Sequence, residues 1–109
     1  MVTEDMKNKI QELIDSNQAV LFIKGEPNGA MCGFSRRMVQ IFDELSQKHG
    51  FTYSTVNVWA DEEVYHNLKE MNDWPTYPQI FLKSEFIGGC DIVQEMYDSN
   101  ELEGLIQQL

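Results

Sequence analysis

Apolar residues follow two kinds of spacing along the chain, and these predict helices that alternate with strands. Between residues 6 and 14 they recur on one helical face after Thr3, a suitable helix N-cap. Residues 19–24 begin with a run of consecutive apolar residues that is too short for a helix. Such a run is typical of a strand that is buried on both faces of a parallel sheet. The sequence therefore predicts an opening helix and a central strand.

The rest of the chain continues this alternation. We predict a loop over residues 25–31, a helix from about residue 32 to Gly50, a strand over 51–59, a helix capped by Asp61, a hairpin of strands 79–82 and 85–87, a helix capped by Asp91 and a last helix over 101–108. Parallel strands joined through a helix require a right-handed crossover, and the hairpin adds antiparallel strands. The order predicts an α/β protein with a thioredoxin-like fold, in which a four-stranded mixed sheet is flanked by helices on both faces.

Composition and charge narrow the functional classes. The chain has 109 residues, which suits a single domain over residues 1–109. Its net charge of −10 argues against nucleic acid and anionic membranes as partners. No apolar run approaches the ~20 residues that span a bilayer, and no targeting segment is visible. The two cysteines lie far apart and suit a reducing compartment, so we expect the cytoplasm or the mitochondrial matrix.

The clearest candidate for chemistry is Cys32, which opens the second predicted helix. Free N–H groups and the positive end of the helix dipole lie at such a position. Lys24, Arg36 and Arg37 add positive charge nearby. Positive surroundings favour the thiolate form, which is the nucleophile and the metal ligand. A cysteine packed as a small apolar residue is the competing interpretation, and the placement alone leaves both open.

Ser35 stands where a dithiol redox site would carry its second cysteine. Without that thiol, a mixed disulfide at Cys32 has to be released by an external thiol. Capping of the helix is the alternative role of Ser35. Two cysteines also cannot supply the four ligands of a four-thiolate metal site within one chain. Any such cluster would need ligands from outside the chain.

Four segments, in order and at compatible spacing, resemble the monothiol (CGFS-type) glutaredoxins. They are Lys24-Gly25, Cys32-Gly33-Phe34-Ser35, Trp74-Pro75-Thr76-Tyr77-Pro78-Gln79 and Gly88-Gly89-Cys90-Asp91, and the likeness runs from about residue 9 to residue 109. The resemblance implies a protein of thioredoxin fold that binds glutathione and, as a homodimer, a bridging 2Fe-2S cluster. It further implies a carrier that delivers clusters to iron–sulfur client or assembly proteins, with at most weak glutathione-dependent disulfide reduction.

The same resemblance implies which residues form the site. Cys32 is the expected cluster ligand and catalytic thiol. The residues expected at the glutathione site are Lys24, Cys32, Gly33, Phe34, Thr76, Tyr77, Pro78, Gly89, Cys90 and Asp91. Tyr77-Pro78 resembles a cis-proline turn that leaves the Tyr77 backbone free to pair with glutathione, although an ordinary proline at the start of a strand is the alternative. Asp91 is expected to meet the γ-glutamyl ammonium, and Lys24 the glycyl carboxylate or the Cys32 sulfur.

A few positions depart from the family or match no motif. Tyr65 stands where the family carries an arginine for the glycyl carboxylate, with His66 and Lys69 nearby as candidate substitutes. Cys90 is open between a partly buried thiol without a required role, a disulfide partner of Cys32 and a thiol that becomes glutathionylated. His49 matches no motif, and we expect it to be exposed.

Two other functions compete with that of a cluster carrier. One is a glutathione-dependent oxidoreductase that reduces protein–glutathione mixed disulfides, with Cys32 as the nucleophile. The other is an interaction module belonging to a longer protein, because the family also occurs as domains of larger chains.

Overall fold

The computed structural model describes residues 1–109, and its helices and strands follow the predicted order. The elements are α1 (Glu4–Ile14), β1 (Ala19–Ile23), α2 (Gly33–His49), β2 (Ser54–Asn57), α3 (Glu62–Met71), β3 (Gln79–Leu82), β4 (Glu85–Gly88), α4 (Cys90–Asp98) and α5 (Glu101–Ile106). Thr3 caps α1 through its side chain, and Gly50 ends α2 in the left-handed conformation, as predicted. None of the helices has both the length and the apolar composition that crossing a bilayer requires.

The strands form one four-stranded mixed sheet in the order β2-β1-β3-β4. β1 pairs in parallel with β2, so that Val20 lies opposite Ser54. It pairs antiparallel with β3, and β3 and β4 form the predicted hairpin around Lys83 and Ser84. The sheet therefore combines the parallel crossover and the antiparallel hairpin that the sequence predicts.

β1 lies in the interior of the sheet, and its side chains alternate between two cores. Ala19, Leu21 and Ile23 belong to the core that α2, α4 and α5 cover. Val20 and Phe22 belong to the core on the other face, which α1 and α3 cover. All five β1 residues are buried, which explains the uninterrupted apolar run. The thioredoxin-like fold with helices on both faces is confirmed.

β2 and α5 are shorter than predicted. The alternation over 51–59 suggests a long strand, but only Ser54–Asn57 is paired. The Asn57 side-chain oxygen accepts hydrogen bonds from the backbone N–H groups of Gly25 at 3.0 Å and Trp59 at 2.9 Å. These bonds offer the backbone an alternative to the sheet ladder, so the strand stops there. α5 ends at Ile106 rather than at residue 108.

The expectation that His49 is exposed is wrong. Its side chain is 18% exposed, and its Nε2 lies 2.9 Å from Oε2 of Glu103. Lys48 Nζ lies 2.8 Å from the same oxygen, and the two partners, Lys48 first, lower the pKa of Glu103. The physical reason is the packing of α5 against α2, which brings together residues that lie far apart in the sequence.

Candidate functional site

The loop between β1 and α2 fixes Cys32 beside the end of β1. Gly25 has a φ of +119°, and a Cβ there would overlap the Ala30 carbonyl oxygen, so only glycine fits. Gly25 bridges to Met31. The Cys32 N–H donates to the Lys24 carbonyl at 3.0 Å. Cys32 is half-buried at the N-cap of α2, which is where the sequence places the reactive residue.

Ser35 does not cap α2, because Cys32 itself occupies the N-cap and its sulfur accepts the Ser35 N–H at 3.4 Å. The Ser35 side chain is fully buried. Its Oγ lies 3.1 Å from the Cys32 sulfur and accepts the Lys24 N–H at 3.0 Å. A thiol at Cys32 donates to this hydroxyl, whereas a thiolate accepts from it. Ser35 therefore joins the Cys32 sulfur to the end of β1 through one hydroxyl group.

A groove of about 440 Å³ lies beside this corner. It is lined by Lys24, Phe34, Trp74, Thr76, Tyr77, Gly89, Cys90, Asp91 and Ile92. Most of the residues expected from the sequence are among them. Cys32 and Gly33 do not line the groove, although they directly precede Phe34 in the chain. Pro78 does not line it either, and its side chain is buried. The expected residues therefore gather around one groove, with the thiol beside it.

A second, larger cleft of about 770 Å³ lies between the β3–β4 hairpin, α4 and α5. It is lined by neither cysteine nor histidine. Thiol chemistry therefore belongs to the smaller groove, whose lining includes Cys90 and which lies next to Cys32, despite the difference in volume.

The turn before β3 supplies free backbone groups to the groove. The Tyr77–Pro78 peptide bond is cis, as expected. Neither the N–H nor the C=O of Tyr77 takes part in a backbone hydrogen bond. Gln79, which is fully buried, donates through Nε2 to the carbonyls of Trp74 and Thr76, each at 3.2 Å. The Gln79 amide thus holds the turn, and the Tyr77 backbone is left available to a ligand.

The start of α4 forms another wall of the groove, and it differs from the prediction. The N-cap is Gly89, not Asp91, because the helix already begins at Cys90. Asp91 is exposed in the first turn of α4, so its carboxylate is free of capping and can meet a cation. Trp74 Nε1 is buried without a hydrogen-bond partner, and a Cβ on Gly89 would lie 3.1 Å from it. Glycine therefore suits the position next to the indole.

Cys90 is half-buried and forms no disulfide with Cys32 in the structure. Its sulfur approaches the Phe34 carbonyl oxygen at only 3.9 Å. Burial raises the pKa of the Cys90 thiol, the Asp91 charge raises it further, and Arg37 partly opposes both. Arg37 itself donates to Gln94 of α4 at 2.8 Å. These influences disfavour the thiolate at Cys90, which makes it a weak nucleophile at neutral pH.

Two site residues, Ser35 and Gln79, carry roles that the sequence reasoning missed. A signal existed for both, since each is a polar residue on an inward-facing pattern. Ser35 precedes Val39 and Phe42 at helical spacing, and both of these are buried. Gln79 opens a strand in which every residue is buried. A polar side chain at such a place has to be hydrogen-bonded, which points to a positioning role.

Comparison with known proteins gives a consistent result. A family model described as Glutaredoxin matches residues 19–87. The chain is 43% identical over 100 residues to "Glutaredoxin 3" of Danio rerio, covering 92% of this chain and 29% of that protein. It is 41% identical over 98 residues to "Probable monothiol glutaredoxin 2" of Rickettsia felis, covering 90% of each chain. The solved buckwheat glutaredoxin–glutathione complex has a TM-score of 0.79 at 28% identity, covering 98% of this chain and 96% of that one.

Proposed function

Because this chain belongs to the glutaredoxin family, and within it to the monothiol glutaredoxins, we propose that it binds glutathione and, as a homodimer, carries a bridging 2Fe-2S cluster. The cluster is its cargo, delivered to iron–sulfur client or assembly proteins. The observation that carries the proposal is the single thiol at the N-cap of α2, with the Ser35 hydroxyl beside it and a groove next to both.

The groove supports glutathione binding in three ways. Its volume of about 440 Å³ lies in the range of small-molecule sites. The free N–H and C=O of Tyr77 can pair with the cysteinyl backbone of the tripeptide, as in the addition of a short strand. The exposed Asp91 carboxylate can pair with the γ-glutamyl ammonium. The buckwheat relative, whose chain is matched almost completely, is solved with glutathione.

The thiol count supports a cluster shared between two chains. A 2Fe-2S cluster takes four thiolates, whereas this chain has two cysteines. We assign Cys32 as the protein ligand because its sulfur stands at the N-cap of α2, beside the positive end of that helix. Two copies of Cys32 and two glutathione thiols supply the four thiolate ligands. Because glutathione can dissociate from the protein, the cluster can be released to another protein.

Exposed apolar side chains support the homodimer. Phe34 is 65% exposed and Ile92 is 41% exposed, and both line the groove near Cys32. A second copy would cover this surface when the cluster joins the chains. We infer a single domain over residues 1–109 that is monomeric without the cluster. The chain spans only 29% of the Danio rerio relative, so the activity of that longer protein is not implied.

Free thiols at both cysteines are stable in a reducing environment. We therefore assign this function to the cytoplasm or the mitochondrial matrix.

Anaerobic reconstitution with ferrous iron and sulfide, with and without glutathione, tests the proposal. We expect a coloured dimer with one cluster per two chains only when glutathione is present. Cys32→Ser should lose iron and sulfide, whereas the matched variant Cys90→Ser should keep most of both. A colourless wild-type chain, or a colourless Cys90→Ser, contradicts the ligand assignment. Fast reduction of a glutathionylated protein by the colourless chain would support the oxidoreductase alternative instead.

A further inference from the structure

The larger cleft, between the β3–β4 hairpin, α4 and α5, has an apolar floor. The side chains that form this floor are Leu82, Ile87, Ile92, Met96, Leu105 and Leu109. Leu82 is buried and Ile92 is exposed, and the other four are half-buried against the core that α2, α4 and α5 cover. The fold therefore leaves part of a continuous apolar surface open to solvent. We call this surface, together with its polar rim, the hairpin cleft.

The polar residues of the hairpin cleft lie at its rim, and every one of them is exposed. No polar side chain is buried on the floor. A small-molecule site places a few polar groups inside its cavity, where they orient the ligand. An apolar centre inside an exposed polar rim is instead the anatomy of a protein–protein interface. The hairpin cleft therefore suits a segment of another protein.

The rim is acidic, and its carboxylates are unpaired. It contains Glu85, Glu95 and Glu101, which come from β4, α4 and α5. None of these three takes part in a salt bridge of the chain. The one lysine of the rim, Lys83, already donates through Nζ to the Gln108 carbonyl at 2.8 Å. Three free carboxylates around an apolar floor attract a partner with lysines or arginines and repel an acidic one.

The hairpin cleft is continuous with the groove beside Cys32. Ile92 lines both of them, and α4 supplies Asp91 to the groove and Met96 to the cleft. A protein that docks in the cleft is therefore held next to the proposed cluster site. Attachment at one site raises the effective concentration of the partner at the neighbouring one, which favours transfer of a cluster between the two proteins.

We infer that the hairpin cleft docks a basic amphipathic helix of a protein that receives the cluster. The apolar stripe of that helix covers the floor, as in other complexes of a helix with an apolar groove. Lysines or arginines beside the stripe pair with Glu85, Glu95 and Glu101, which stand on different elements around the floor. The role of the partner as a cluster recipient rests on the proposed function, whereas the docking itself does not.

The test is a titration with a synthetic amphipathic helical peptide made of leucine and lysine. The same peptide with glutamate in place of lysine serves as the comparison. Backbone amide NMR spectra of the cluster-free chain locate the binding site, and calorimetry gives the dissociation constant. We expect the lysine peptide to bind and to shift amide signals of β4, α4 and α5, and we expect the glutamate peptide not to bind.

Two variants separate the rim from the floor. The triple variant Glu85→Gln, Glu95→Gln, Glu101→Gln should weaken binding of the lysine peptide about 3- to 30-fold, the range of three exposed ion pairs. Leu109→Gln should weaken it about 2- to 5-fold, because a half-buried leucine gains only part of its burial on docking. These side chains lie outside the groove lining, so both variants should take up the cluster as the wild-type chain does.

The triple variant Glu4→Gln, Glu12→Gln, Glu63→Gln is the matched control. These glutamates are exposed on α1 and α3, which cover the other face of the sheet, and their removal changes the net charge equally. The control should keep the wild-type affinity for the lysine peptide. An equal loss in both triple variants would mean that the peptide responds only to total charge, and it would overturn the inference.

Two further outcomes would also overturn the inference. One is self-association of the peptide-free chain through β4, α4 and α5, which would assign the hairpin cleft to a second copy. The other is a reconstituted dimer that excludes the peptide, because a cluster recipient has to dock on the loaded protein. We expect that dimer to bind one peptide per chain. If the wild-type chain takes up no cluster, the proposed function fails, whereas titration of the cluster-free chain still decides whether the cleft docks a basic helix.

Discussion

At the scale of single residues, one hydroxyl group of Ser35 connects the start of α2 to the end of β1. The hydroxyl lies within hydrogen-bond distance of both the Cys32 sulfur and the Lys24 N–H. Gln79 has a comparable role on the other side of the groove, where its amide holds the turn that contains Tyr77. Both side chains are fully buried, so a change at either leaves backbone groups without partners.

Ser35→Ala should lower the free energy of unfolding by about 1–3 kcal/mol, because the Lys24 N–H loses its acceptor in a half-buried place. Equilibrium unfolding in urea measures this change. Ser46→Ala is the matched control, since that hydroxyl only donates to the Asp43 carbonyl within the same helix. Equal stability of the two variants would show that the Ser35 hydroxyl does not stabilise this connection.

The thiol of Cys90 should react faster as the pH rises, with a late midpoint. Burial and the Asp91 charge raise its pKa above the ordinary value of 9.0, so thiolate is still the minor form at that pH. The rate of reaction with iodoacetamide in Cys32→Ser, followed from pH 6 to pH 11 (about the range in which thiols titrate), should show its midpoint above 9. Asp91→Asn should move the midpoint down. A midpoint near neutral pH would mean that Cys90 is a reactive thiol.

At the scale of elements, the hydrophobic pattern predicts the order and type of every helix and strand. The prediction holds because each face of the sheet is covered by the apolar faces of helices. The spacing of apolar residues over 6–14 and 19–24 therefore indicates a helix and a buried strand. The ends of elements depend on side chains from elsewhere. β2 stops at Asn57 because its amide bonds to Gly25 and Trp59. No local pattern carries that information, and the same holds for the contact of His49 with Glu103.

That contact joins α5 to α2, and Glu103→Gln tests it. Lys48 and then His49 lower the pKa of Glu103 below 4.5 in the folded state. A lowered pKa of an acid stabilises the fold above the pKa of the unfolded state, and the gain is lost as the pH falls through the folded value. Glu103→Gln should therefore have a lower melting temperature than wild type at pH 7, and the difference should shrink below pH 4.5. A difference that stays constant down to pH 3 (about the range in which carboxylates titrate) would rule out this ion pair as the cause.

At the scale of the whole molecule, the four sequence motifs come from distant parts of the chain, and seven of the ten residues expected from them line one groove. Lys24, Phe34, Thr76, Tyr77 and Asp91 all line it. The motifs could not show that α4 begins at Cys90, which leaves Asp91 uncapped and exposed. They also could not show that Lys69 reaches the Tyr65 ring, because that geometry depends on how α3 packs against the sheet.

The net charge of −10 should oppose the proposed cluster-bound dimer. Raising the ionic strength from about 0.01 M to about 0.15 M shortens the screening length from about 30 Å to about 8 Å. We expect the dissociation constant of the cluster-bound dimer to fall at least about threefold over this range, as measured by anaerobic analytical ultracentrifugation. A dimer that weakens with added salt would instead indicate opposite charges across the interface.

The unpartnered indole of Trp74 gives the groove an optical reporter of its own. The chain has two tryptophans. Trp59 is 54% exposed and stands outside the groove lining, whereas the Trp74 ring lines the groove and packs 5.1 Å from Phe86. In Trp59→Phe, all tryptophan emission comes from Trp74. A tripeptide that enters the groove changes the polarity around that ring and shifts the wavelength and intensity of its fluorescence. Occupancy can then be followed in real time without a label, in the same sample whose thiol chemistry is being measured.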